Sequence, residues 1–226
     1  METQQYDFDV IVVGGGCSGV AAALEAIEAG ASVLLCEAAQ RLGGSAANSG
    51  GVIIAAGSDL QKLRGIQDSV DDFYNYYMTI NHSEVEPMLA RRLCEGGAPT
   101  LDWLRSFGVT FNADNIYVTG VENPKTPRGH PADGMGYGIM EPLIQKVMAR
   151  GLEVAVNTRV TDLAVEGGVV CGIVAEGTKV RAPSVVLATG GFSNNFEMLK
   201  EYYPDAARHG EDWHFAIGVR NTGATG

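Results

Sequence analysis

The sequence predicts an α/β fold, a helix-wound parallel sheet carrying a small antiparallel side sheet, on three observations. A β-branched run from Phe8 to Val13 is closed by Gly14-Gly15-Gly16 and followed by an alanine-rich stretch of good helix formers. A second short apolar run, Ser32 to Cys36, comes after Gly30, so strand, helix and strand fall within about thirty residues. Later, between Leu152 and Arg181, four short apolar runs are separated by turn residues, the texture of antiparallel hairpins. At 226 residues and 46% hydrophobic, the chain has the apolar content for a real core, and its length suggests one large domain, or one and a half.

In chain order, Phe8–Val13 reads as a buried strand, Val20–Ala29 as a helix stopped by Gly30, and Ser32–Cys36 as a parallel strand. Gly43 to Gly57, rich in Gly, Ala and Ser, has neither period and is expected to be irregular. Helical spacing returns over Val70–Ile80 and Pro87–Phe107, where Leu89, Leu93, Leu101 and Leu104 recur; Phe73, Tyr74, Tyr76 and Tyr77 read as packing, and Asp71-Asp72 suit a helix start. Asn112 to Gly138, with its prolines and glycines, is expected to be a long loop. Ile139–Arg150 is a helix, then Leu152–Val156, Val160–Val165, Val169–Glu176 and Lys179–Arg181 are strands, with a hairpin at Glu166-Gly167-Gly168. Ser184–Ala188 is a last buried strand.

Sixteen basic against 27 acidic residues give a net charge of −11, which argues against nucleic acid or an anionic membrane as partner. No apolar run reaches the length of a membrane span, and Met1–Asp9 lacks the pattern of a signal peptide. Cys17, Cys36, Cys94 and Cys171 are scattered without metal or C-x-x-C spacing, so reduced thiols, buried for Cys17 and Cys36, and a cytoplasmic location are expected. No metal is expected; His209 and His214, flanking Glu211 and Asp212, read as a surface turn, and His82 as a loop or cap residue.

Gly14-x-Gly16-x-x-Gly19 lies between a strand and a helix, the context a Rossmann-like dinucleotide site requires. The first glycine permits the turn, the second lets backbone approach a pyrophosphate, and the third lets helix and strand pack closely. Phosphates then meet the N–H groups of Gly15, Gly16, Cys17 and Ser18 at the positive end of a helix. Glu37, ending the second strand beside Ala38, suits both ribose hydroxyls and repels a 2′-phosphate, which disfavours NADP. This unit by itself leaves NAD and FAD open.

Three further stretches resemble the fumarate reductase and succinate dehydrogenase flavoprotein family, which includes 3-ketosteroid dehydrogenases and related enone oxidoreductases. They are Gly43-Gly44-Ser45-Ala46-Ala47-Asn48-Ser49-Gly50-Gly51, Val185 to Asn194 with its Ala188-Thr189-Gly190-Gly191 turn, and Asn221 to Gly226. The resemblance covers nearly the whole chain and implies an FAD-binding domain over residues 1–226. Within it, 1–38 is the dinucleotide unit, 69–138 a helical excursion and loop, and 139–226 a helix, hairpin sheet and final strand. It adds Gly43, Gly44, Ser45, Ser49, Gly50, Gly51, Val160, Ala188, Thr189 and Gly190 to the cofactor-binding candidates. Gly44 occupies the place of the family's covalently bonded histidine, so noncovalent FAD is implied. The family's capping domain, with its catalytic arginine, follows the stretch where this sequence stops, so it is expected to be absent and the chain alone to be catalytically incomplete.

The implied activity is hydride transfer between flavin N5 and a carbon–carbon bond conjugated to a carbonyl, in a fumarate-like or 3-ketosteroid/enone substrate. The segment Trp103 to Val109 resembles the steroid and enone branch. The alternatives are a flavin-binding module without turnover and an NAD-dependent dehydrogenase. Arg128 and His130 are candidates for binding a substrate carboxylate or carbonyl, and Tyr137 for donating a proton. The expected partner is a small-molecule substrate; the electron partner is left open. The disulfide-reductase class is disfavoured because Gly43–Gly51 holds no cysteine pair.

Overall fold

A computed structural model describes residues 5–120, 125–208, 210 and 222–223. His209, Glu211, Asp212, His214 and most of the Asn221–Gly226 stretch lie outside them. The chain divides into two units, Met1–Asn48 with Leu143–Gly226, and Ser49–Pro142.

The first unit is built on β1 (Val10–Val13), α1 (Cys17–Glu28) and β2 (Val33–Cys36). β1 pairs in parallel with β2, Val10 opposite Val33 and Val13 opposite Cys36. On its other side it pairs with the last strand, whose Ser184 lies opposite Val10 and Leu187 opposite Val13. The chain therefore leaves β1 toward one neighbour and returns much later beside the other. In parallel sheets that reversal opens a crevice beyond the strands' carboxyl ends. Gly30, at φ +86, ends α1, and the helix buries Gly19, Val20, Ala23 and Leu24 against the sheet. Each fully buried aliphatic side chain of this kind contributes roughly 1.5–3 kcal/mol.

The opposite face of the sheet presents Ile11, Val13, Leu34 and Cys36, which pack with Val160, Ile173 and Ala175 of the antiparallel side sheet and with Ala182 just beyond it. The alternation within β1 and β2 thus serves two layers, which is why both runs are continuously apolar.

The second unit contains β3 (Val52–Ile54), α2 (Asp59–Leu63), α3 (Val70–Ile80), α4 (Pro87–Ser106), β4 (Tyr117–Val118) and β5 (Pro127–Pro131). Ser58 and Gln61 cap α2 reciprocally, and the Ser69 hydroxyl accepts the Asp72 N–H at the start of α3. As the sequence indicates, the aromatics of α3 are packing groups: Tyr74, Tyr76 and Tyr77 lie against Ala56, Phe73 and Cys94. A β-carbon on Gly97 of α4 would lie 2.7 Å from the Ile54 carbonyl oxygen, so this glycine admits the helix onto β3.

Two expectations change here. Gly43–Gly57 is not irregular throughout, since Val52–Ile54 forms a strand paired with β5. Asn112–Gly138 is not one long loop, since β4 and β5 pair within it. The sequence Pro-Arg-Gly-His-Pro of β5 lacks alternation; its strand is imposed by the pairing, with prolines only at its ends, where a missing N–H is tolerated.

α5 (Met135–Ala149) starts four residues before the expected Ile139 and runs from the second unit into the first. The early start requires Gly138, where a β-carbon would lie 1.7 Å from the Asp133 carbonyl oxygen. In the first unit, β6 (Glu153–Ala155), β7 (Val160–Glu166), β8 (Val169–Ala175), β9 (Thr178–Arg181), β10 (Ser184–Leu187), α6 (Phe196–Tyr202) and α7 (Pro204–Ala207) follow. The parallel sheet has the order β10-β1-β2-β6, and β7-β8-β9 is the side sheet, turned at Gly167 and Gly168, both with positive φ.

Gly19→Ala places a β-carbon 1.8 Å from the Gly14 carbonyl oxygen. Such overpacking costs about 1–3 kcal/mol, so the melting temperature is expected to fall by about 3–10 °C. A cofactor-free thermal melt checks this, and an unchanged midpoint would contradict the close packing of α1 on β1.

Candidate functional site

The crevice at the carboxyl ends of β1, β2 and β10 is a cavity of about 770 Å³ within the first unit. Its position follows from backbone packing. Gly14, at φ +106, turns the chain out of β1, and a β-carbon there would lie 2.3 Å from the Ala188 carbonyl oxygen. The Gly14 N–H donates to the Cys36 carbonyl at 2.7 Å and the Ala188 N–H to the Val13 carbonyl at 2.8 Å, which brings three strand ends together.

Gly16 is the N-cap of α1, and no side chain caps that end. The N–H groups of the first turn thus have no partner within the helix, and the helix dipole adds positive potential there. A β-carbon on Gly16 would meet nothing within 4 Å, so the space above it is open. Glu37 is held by two backbone donors, Gly15 N–H to Oε2 and Ala39 N–H to Oε1, each at 2.7 Å. A carboxylate has about four acceptor sites, so two remain for hydroxyl donors. Gly43 N–H donates to the Gly15 carbonyl at 2.8 Å, which fastens the Gly43–Ala46 segment to the glycine turn.

Of the sequence-derived cofactor candidates, Gly14, Gly16, Cys17, Ser18, Glu37, Ala38, Gly44, Ser45, Val160, Ala188, Thr189 and Gly190 line this cavity. Gly15, Gly19 and Gly43 support it through their backbones. Ser49, Gly50 and Gly51 belong to the second unit, where Gly51 accepts the Ala132 N–H and Ser49 the Gly136 N–H through their carbonyls. Cys17 is exposed rather than buried, because it opens α1 on the cavity side. Cys36 is buried as expected, and burial, followed by the nearby Glu153, pushes its thiol up to about 11, so it stays neutral.

Ala46 and Thr222, from the Gly43–Gly51 and Asn221–Gly226 stretches, also line the cavity, as do Ala39, Thr158 and Arg159, which no motif marked. Thr158 N–H donates to the Glu37 carbonyl and Asn157 N–H to the Ala39 carbonyl, both at 2.9 Å. Thr158 and Arg159 reach the cavity through the parallel register of β2 and β6, which carries the turn after β6 to residues 37–39 and which no local signal marks.

In the second unit Arg128 and His130 are buried and engaged. Arg128 donates from Nε and Nη2 to the two oxygens of Asp68 at 2.8 and 2.7 Å, with side chains 7% and 1% exposed. Gln61 donates to Asp68 and to the Pro127 carbonyl. His130 Nδ1 donates to the Arg128 carbonyl at 2.7 Å, which leaves Nε2 to accept from the Ser58 hydroxyl at 2.8 Å in the neutral ring. Burial holds the imidazole below its ordinary pKa, which favours that neutral form. Tyr137, on the first turn of α5, is 62% exposed.

A profile of the family described as "FAD binding domain" matches residues 9–216. The chain belongs to the FAD binding domain family. It is 34% identical over 203 residues to the "NADH:fumarate oxidoreductase" of Klebsiella pneumoniae (strain 342), covering 88% of this chain and 22% of that protein. Among solved structures, it superposes on the open conformation of a flavocytochrome c3 fumarate reductase with a TM-score of 0.84 and 31% identity, over 96% of this chain and 39% of the other. The 3-ketosteroid-delta4-(5alpha)-dehydrogenase of Rhodococcus jostii RHA1 gives 0.81 and 31%, over 97% and 53%. The chain spans between a fifth and about half the length of these relatives.

For a FAD binding domain family member, the donor set of the cavity is chemically apt. It offers uncapped helix N–H groups for a pyrophosphate, a braced carboxylate for ribose hydroxyls, and small residues elsewhere. No helix among the described residues is long and apolar enough to cross a membrane.

Two outcomes follow from the buried network. Asp68→Ala leaves the Arg128 guanidinium buried without its anion, which is expected to cost about 3–5 kcal/mol in urea unfolding. His130, neutral when folded, gains its proton first in the unfolded chain as pH falls below about 6.5, so stability falls from pH 7 toward pH 5. That fall should be smaller in His130→Asn, and equal falls in paired melts would rule out His130 as its source.

Proposed function

We propose that the first unit's cavity holds FAD noncovalently, and that the protein is an FAD-dependent oxidoreductase acting on a small-molecule substrate. The observation that carries the reading is the open Gly16 cap beside the doubly braced Glu37. In this reading Gly15 to Ser18 receive the pyrophosphate, and Glu37 takes the ribose hydroxyls on its remaining lone pairs. Gly44, Ser45, Val160 and Ala188 to Gly190 form the walls. Bound FAD supplies hydride transfer between its N5 and a carbon–carbon bond conjugated to a carbonyl.

Noncovalent attachment is supported at Gly44. The residue has φ +51, and a β-carbon there would lie 3.1 Å from Gly16 Cα, leaving little room for a linking side chain. The neutral thiol of Cys36 offers no nucleophile either.

The similarity to fumarate reductases and to a ketosteroid dehydrogenase supports the carbon–carbon bond class, and a second cavity bears on the choice between them. It has a volume of about 570 Å³ and lies within the second unit, lined by Val52, Ile54, Phe73, Tyr76, Tyr77 and Leu93. Arg128 reaches its wall but is already paired with Asp68. Arg92, Thr100 and Thr119 also line it, and the predominance of aromatic and aliphatic groups over these polar ones supports a bulky apolar enone over a small dicarboxylate. In this assignment Arg128 and His130 hold the wall in shape, and exposed Tyr137 is the proton-donor candidate.

The purified chain is expected to take up FAD and keep its absorbance bands after desalting; a colourless protein would overturn the reading. Acid precipitation should release all flavin to the supernatant, and a coloured pellet would show a covalent bond instead. Gly16→Ala has an ordinary φ of −75 and clear space, so it should melt like the native protein. It should nevertheless bind FAD at least about tenfold more weakly, because the methyl group occupies the phosphate position.

A further inference from the structure

The described lining of the first cavity contains two charged side chains, Glu37 and Arg159. Glu37 has a role in the reading above, and Arg159 has none. Eight of the described arginines, Arg64, Arg91, Arg92, Arg105, Arg128, Arg150, Arg181 and Arg208, have a carboxylate within ion-pair distance. Arg159, like Arg41, is exposed and has no such partner among the described residues, in a chain with 27 acidic side chains; of the two, Arg159 lines the cavity. An unpaired arginine in an acidic protein is commonly a solvated charge, but this one has a defined place.

Arg159 lies in the connection between β6 and β7, and the two residues before it are bonded to the β2 end through Asn157 N–H to Ala39 and Thr158 N–H to Glu37. Its backbone is therefore fixed at the Glu37 edge of the cavity. The α1 N-terminus accounts for phosphates and Glu37 for ribose, so the group next in line along an adenine dinucleotide is the base. The lining at that edge is Ala38, Ala39, Thr158, Arg159 and Val160, small or apolar apart from one planar cation. A guanidinium is flat, weakly hydrated and disposed to stack on aromatic faces, whereas a lysine ammonium is a compact hydrated point charge.

We propose that Arg159 is a positioning residue for the cofactor, stacking its guanidinium on the adenine ring and closing the adenosine end of the cavity. The proposal rests on the FAD reading. It assigns to Arg159 an affinity and selectivity role that no glycine of the fingerprint can fill, since those residues recognise phosphate and leave the base unread.

The test compares the unsubstituted 226-residue chain with Arg159→Ala and Arg159→Lys, titrated with FAD by quenching of flavin fluorescence and with ADP by competition. Arg159→Ala is expected to weaken FAD and ADP by the same factor, about fivefold to tenfold. The absorbance spectrum of bound flavin and the cofactor-free melting temperature should stay unchanged. Arg159→Lys should recover little of the loss. Native affinity in Arg159→Ala would overturn the proposal while leaving the FAD reading intact. So would full recovery in Arg159→Lys, which would assign the effect to charge, or a loss seen with FAD but not with ADP. A native chain that takes up no flavin would overturn the FAD reading itself, and this proposal with it.

Discussion

The first unit depends on one steric constraint, the absence of β-carbons where β1, α1 and β10 converge. Gly14 stands against the Ala188 carbonyl and Gly19 against the Gly14 carbonyl, at separations that no other residue type would permit. Those two contacts bring the N-terminus of α1 down to the carboxyl ends of the strands. The helix dipole, the uncapped N–H groups and Glu37 then share one crevice, while the space over Gly16 stays open. Three glycines of one motif therefore have different duties: two close the packing, and the middle one leaves room for a ligand.

The second unit is organised by a polar interaction instead. Asp68 and Arg128 are buried together, and Gln61, Ser58 and His130 complete the hydrogen bonding around them. Buried charge is costly unless each partner is satisfied, and here the described buried side-chain polar atoms all have partners. The network joins α2, the turn before α3 and β5. The Phe73 and Tyr76 rings approach Arg128, at 5.0 and 5.6 Å to their centroids, so the cation also links the network to the aromatic face of α3.

Legibility in the sequence tracked the range of the forces involved. The βαβ unit was readable because its signals are local: a β-branched run, glycines at set intervals, an alanine-rich helix, and a carboxylate at the end of the next strand. The hairpin at Gly167-Gly168 and the helices at Val70 and Pro87 were readable for the same reason, the first through turn chemistry and the helices through the spacing of their apolar residues. β3 and β5 were not, because neither segment carries a strand period; each becomes a strand by pairing with a partner about eighty residues away. Arg128 and His130 looked like loop groups available to a substrate, and burial engages both with the protein. The apolar run in Ser32–Cys36 gave the parallel strand but not the identity of its outer neighbour, β6, which brings Thr158 and Arg159 to the cavity.

The sequence by itself determined the dinucleotide motif and the α/β class, because the backbone geometry of a strand–glycine–helix turn is set by residues within one turn of each other. It also indicated the flavoprotein family, through short glycine-rich stretches in a given order. Only the tertiary structure decided which of those residues share a cavity and that Cys17 is exposed. It also gave the second unit its charged core and brought Arg159 beside Glu37. Each of these depends on pairings between segments far apart in the chain, where register and burial act and local propensity is silent.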